Sequence, residues 1–168
     1  MNKVGIMIMS GFAATWFVWG LSALSSFNGF WLLVPLAVSG AMMAAAMRLP
    51  ITVGEAEQRR VGRVVAWASG IEGVAIFISV NVLHNMGYAS YGPVATLAIV
   101  GLHFLPLAHF LRFPTYYVSG AALTALALFG CTIASDTTRL LVVGTGAATL
   151  LWLTCLTSFA FRGSRAVA

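Results

Sequence analysis

Residues 62–83 read GRVVAWASGIEGVAIFISVNVL, twenty-two positions with one arginine near the start and one carboxylate, Glu72, in the middle. A strand of a soluble domain runs about five or six residues, so a run of this length is helical. About 20 apolar residues also match the hydrocarbon thickness of a bilayer. The stretch therefore reads as a membrane-crossing helix that carries an acid inside it.

Composition extends that reading to the whole chain. It is 60% hydrophobic and 8% charged, with a mean hydropathy of +0.95, where a soluble domain is about a quarter charged. Four acids and nine basic residues cannot solvate a globule of 168 residues, so lipid is the expected solvent. Backbone groups in lipid must be satisfied internally, and the alternation of a barrel strand is missing. The expected fold class is all-α: one polytopic six-helix transmembrane domain over residues 1–168. Its helices are expected at about 4–24, 28–47, 53–84, 92–111, 115–134 and 139–161. Short loops make consecutive helices antiparallel neighbours. The first run, with Lys3 before it and ALSS after it, imitates a secretory signal. Its apolar stretch is longer than the usual signal core of about 7–15 residues, so it reads as a spanning helix.

Basic residues orient the bundle. With the N-terminus inside, Lys3, Arg48, Arg59, Arg60, Arg63, Arg112, Arg162 and Arg165 are internal and only Arg139 is external. The positive-inside rule then places both termini on the inner side. The net charge of +5 belongs to an anionic lipid surface, and no nucleic-acid partner is expected. Cys131 reads as near the outer face and Cys155 as nearer the inner one. Their depths differ by roughly 15 Å, beyond the reach of a disulfide.

The one long connection, RLPITVGEAEQRRVGR at 48–63, carries Pro50 as a helix stop and Thr52 with Glu55 as a capping-box pattern. Helix 3 is expected to start near Thr52 or Val53, before the bilayer, with Glu55 and Arg59 as neighbours one turn apart. Ser-Gly recurs at Ser10-Gly11, Ser39-Gly40, Ser69-Gly70 and Ser119-Gly120, and small residues of this kind let helices approach closely in lipid.

Intramembrane acids are costly and point to function. Glu72 lies nine residues after Arg63, and His103 lies nine residues before Arg112. On antiparallel helices both side chains then sit about 13 Å beyond the inner boundary. They are expected to meet across a helix 3–helix 4 hairpin. Val65, Ala68, Ser69, Ala75, Ile76 and Ser79 share the Glu72 face, and Trp67, Ile71, Val74, Ile78 and Val82 the opposite one. The proton- or ligand-binding set is Glu72, His103, Ser69, Ser79, Thr124 and Thr154, the last two placed by depth. Pro106 removes an amide N–H beside His103 and is expected to kink helix 4. Asn81 and His84 form a candidate outer entrance, His109 points elsewhere, and Asp136 is expected to cap helix 6. No HExxH motif, catalytic triad or matched pair of haem ligands is present. No catalytic residue, metal or cofactor is assigned.

The stretches VGLHFLPLA at 100–108 and YYVSGAAL at 116–123 resemble small bacterial six-helix membrane proteins of unknown function. The resemblance implies a bacterial inner-membrane location and the same fold, and brings no activity. The leading expectation is a transporter or channel-like protein for a small solute or ion, with Glu72 and His103 as its proton- or cation-responsive centre. The alternatives are a binding protein or membrane enzyme for a lipid, quinone or other apolar ligand, and an accessory or scaffold subunit. A bundle this small is expected to form a homo-oligomer.

Overall fold

The structure, a computed structural model, describes residues 3–49 and 54–165, with side chains through 159. Among them are six α-helices and no strand: α1 (Lys3–Leu21), α2 (Leu33–Met47), α3 (Glu55–Asn85), α4 (Gly92–Leu111), α5 (Thr115–Cys131) and α6 (Asp136–Arg165). Short 3-10 turns, Gly29–Leu32 and Ala89–Tyr91, precede α2 and α4. Five helical segments are long and apolar enough to cross a membrane, and α5 is a shorter apolar helix of 17 residues.

Every short-loop hairpin pairs as expected: α1 with α2, α3 with α4, α4 with α5 and α5 with α6. The tertiary addition is α6 against α1, which joins the two ends of the chain in the centre of the bundle. Their backbones come close because both sides are glycine. A Cβ on Gly20 would lie 2.8 Å from the Thr145 nitrogen and 3.0 Å from the Gly144 Cα. Gly101 and Gly120 repeat the arrangement between α4 and α5, where a Cβ on Gly120 would meet the Gly101 carbonyl at 2.7 Å. Around these crossings Ile6, Ala13, Leu97, Leu123, Val143 and Ala147 form the fully buried core. The periphery belongs to α2, which packs on α1, and to α3, which packs on α4 and has no fully buried residue.

The Ser-Gly pairs divide their work differently from the expectation. Gly120 sits at a close crossing and Gly11 makes ordinary contact with Met43, but nothing lies within 4 Å of a Cβ on Gly40 or Gly70. At the second pair the serine does the joining. The Ser39 hydroxyl donates to the Ser10 carbonyl (2.7 Å) and accepts from the Trp152 indole (3.0 Å), so it ties α2 to α1 and α6.

Helix ends depart from hydropathy where polar groups intervene. α1 stops at Leu21, three residues short of the apolar run, because Ala23 and Leu24 continue in tight turns to the Gly20 and Leu21 carbonyls. α5 ends at Cys131, where the Thr132 and Ile133 amides tighten to the Phe129 and Gly130 carbonyls, and the Ile133 carbonyl then accepts from the Arg139 guanidinium (2.7 and 3.1 Å). α6 begins earlier than expected, and Ser135 caps it: its hydroxyl accepts from the Thr138 amide at 3.3 Å. Asp136 stands in the first turn and pairs with Arg139 instead of capping. α3 is preceded by Gly54 as its cap, so Glu55 is the first helical residue and not the third that a capping box requires. Pro50, Thr52 and Val53 lie outside the described residues.

Candidate functional site

Glu72 is carried by the middle of α3 and His103 by α4. The equal spacing from Arg63 and Arg112 holds in space: Glu72 Oε2 lies 3.6 Å from His103 Nε2. The two side chains are only 15% and 10% exposed. The imidazole also stands beside the Ala68 carbonyl, one turn before Glu72. The pair is therefore a polar tie between α3 and α4, on the face of α3 formed by Val65, Ala68, Glu72, Ala75, Ile76 and Ser79, all partly buried. Trp67, Ile71, Val74, Ile78 and Val82 are exposed on the other side. Ser69 joins that outward side instead of the Glu72 face.

Beside the pair runs a groove of about 750 Å³ walled by α3 and α4. Glu72 and His103 form part of its floor, and Trp67, Ile71, Leu102 and Phe110 its walls. Trp67 is 76% exposed and Ile71 67%, so the groove opens sideways at the edge of the bundle. Arg60 and Arg63 line its other end. Arg60 binds both oxygens of Glu57 (2.6 and 2.7 Å) and reaches the Phe110 carbonyl at 3.5 Å, which fixes the start of α3 beside the end of α4. That bond also holds the Glu57 carboxyl below its usual range.

Pro106 lines the groove one turn beyond His103, and α4 continues through it to Leu111. α4 then ends on Arg112 in the left-handed conformation (φ 52°), whose amide and that of Phe113 return to the Ala108 carbonyl. The remaining anticipated residues are elsewhere. Thr124 bonds its own helix at Gly120 (2.8 Å), against the Gly101 crossing. Thr154 shares a 2.6 Å hydrogen bond with Ser119 between α6 and α5. Ser69, Ser79, Thr124 and Thr154 do not line the groove.

At the opposite end of the bundle, Asn81 bonds back to the Phe77 carbonyl and His84 is exposed. A second hollow there, of about 410 Å³, is lined by Leu83, Tyr88, Tyr91, Val94, Leu128 and Cys131 among others. Its neighbour is a residue that sequence reasoning left as a stray external charge. Arg139 is 2% exposed, and its guanidinium donates to the Ile133 carbonyl, the Ser90 hydroxyl and the Asp136 carboxylate (2.7 Å). It also stacks 3.9 Å from the centre of the Tyr91 ring. One side chain thus fastens the α3–α4 turn to the α5–α6 turn. The signal in the sequence was its isolation from the other basic residues, which cluster at the opposite ends of the helices.

Cys131 is exposed and Cys155 buried, and both are free thiols. Among the described residues no cluster of three histidine, cysteine or acidic side chains could hold a metal ion. Compared with protein-family models, curated proteins and solved structures, the chain has no match.

Proposed function

We propose that the chain is a multi-pass membrane protein that binds an apolar ligand of the lipid or quinone type in the groove between α3 and α4. The observation that carries this reading is the placement of the Glu72–His103 pair on the floor of an apolar groove that opens at the edge of the bundle. A groove of about 750 Å³ falls within the roughly 300–1,000 Å³ of small-molecule sites. Its sideways mouth suits a ligand that arrives through the bilayer, and the pair holds the two walls together. Both termini face the cytoplasm of a bacterial inner membrane in this reading, supported by the basic residues at one end of the helices, and the functional unit is a homo-oligomer. Native mass spectrometry of the protein released from lipid nanodiscs tests the binding. One retained apolar molecule per chain is expected, displaced by Leu102→Trp and held more weakly by Glu72→Gln. Wild-type protein that carries no such molecule sinks the reading.

The same pair supports a second reading, a small-solute or ion transporter in which Glu72 and His103 respond to protons or cations. Proton flux into proteoliposomes that disappears with Glu72→Gln would favour it over ligand binding.

A further inference from the structure

The groove has a charged end, and its charges do not balance. In the first turns of α3, Arg59 pairs with Glu55 (3.7 Å) and Arg60 with Glu57 (2.6 Å). Arg63 has no carboxylate partner among the described residues. Of the two guanidiniums that line this end of the groove, Arg60 is neutralised by Glu57 and Arg63 is left over, a net charge of +1 before any ligand.

Beyond the mouth the lining is hydrocarbon. From Arg63 to Ala75, both of which line the groove, twelve residues of helix cover about 18 Å. One leaflet of a bilayer core is roughly 15 Å deep. The only acid on the route, Glu72, is turned toward His103 and little exposed. Trp67, Ile71, Leu102 and Phe110 are its large exposed apolar side chains.

Resting on the ligand-binding reading above, we propose that the occupant is an anionic glycerophospholipid, with its phosphate on Arg63 and an acyl chain along the groove. Charge complementarity selects this occupant over the others. A zwitterionic lipid brings its own cation to a mouth already positive. A second copy of the chain, inserted in the same direction, brings another Arg60 and Arg63 to the same end. An arginine meets a phosphodiester through two parallel N–H donors in either lipid, so the discrimination comes from the added cation of the zwitterionic headgroup and not from the phosphate.

The test uses full-length protein, delipidated in neutral detergent and titrated with chain-matched phosphatidylglycerol and phosphatidylcholine under native mass spectrometry. One phosphatidylglycerol per chain is expected, held about five- to ten-fold more tightly than phosphatidylcholine. Arg63→Gln should abolish that preference and Arg63→Lys retain most of it. Both substitutions are at an exposed residue, so the fold is expected to survive them. Leu102→Trp, which fills the groove, should displace either lipid. Equal binding of the two lipids by wild type, displaced by Leu102→Trp, overturns the choice of an anionic lipid and leaves the groove as a site for lipid of either kind. A preference that survives Arg63→Gln overturns the role of Arg63. Lipid binding indifferent to Leu102→Trp removes the groove as the site, and the ligand-binding reading falls with the proposal. A lipid-free dimer broken by Leu102→Trp makes the second copy the occupant and also overturns it.

Discussion

Gly20 and Gly144 meet backbone to backbone where α1 crosses α6, close enough that a Cβ on Gly20 would stand 3.0 Å from the Gly144 Cα. The N-terminal and C-terminal helices are joined there without an intervening side chain. Packing of this kind is what holds helices together in lipid, where burial from water supplies little drive between them.

Gly144→Ala should therefore destabilise the bundle by about 1–3 kcal/mol, as overpacking of a tight core does. Gly40→Ala is the control: its Cβ meets nothing within 4 Å. It lies within α2 and should be neutral or stabilise by up to about 1 kcal/mol through helix propensity. Unfolding in mixed micelles measures both, and equal effects would contradict the crossing.

Arg139 is the second place where one residue holds several elements. Arg139→Leu leaves the Ile133 carbonyl and the Ser90 hydroxyl without their donor, and a hydrogen bond to a charged group is worth about 1.5–3 kcal/mol. A loss of at least about 2 kcal/mol is expected. Lysine lacks the planar fork, so Arg139→Lys should recover only part of it. Asp136 is 67% exposed, and Asp136→Asn should cost less than about 1 kcal/mol. Thermal unfolding of the three variants ranks them, and an order with Asp136→Asn worst would refute the account.

Glu72 and His103 should be energetically coupled. A double-mutant cycle with Glu72→Gln and His103→Gln is expected to give an interaction of about 0.5–3 kcal/mol, the range for side chains in contact. Asn81, exposed nine residues further along α3, replaces His103 in a control cycle that should be additive. An additive Glu72–His103 cycle would contradict the contact across the hairpin.

The start of α3 should respond to acid. The hydrogen bond from Arg60 lowers the Glu57 pKa in the folded state. The pair's contribution is then present above the pKa of the unfolded chain and lost as pH falls through the folded value. A carbon-detected NMR titration of Glu57 should show a midpoint below that of an ordinary glutamate. In Arg60→Gln it should move up toward the ordinary value, and an unchanged midpoint would argue against the bond.

The sequence by itself determined the helices and the pairing of neighbours. Twenty-residue apolar runs have one favourable backbone state, and loops of a few residues leave adjacent helices little choice but to turn back on each other. It also determined the meeting of Glu72 and His103, because equal distances from Arg63 and Arg112 on antiparallel helices mean equal depth. Depth says nothing of direction around the bundle axis. Thr124 and Thr154 were chosen by depth alone, yet they face the α4–α5 and α5–α6 contacts. Only the tertiary structure decided that α6 closes on α1, that α3 lies at the edge with a groove beside its acid, and that Arg139 is buried. Each of these depends on which helix faces meet, which is set by small residues and hydrogen-bond partners far apart in the chain: Gly20 with Gly144, Ser39 with Trp152, and Arg139 with Ser90 and Tyr91.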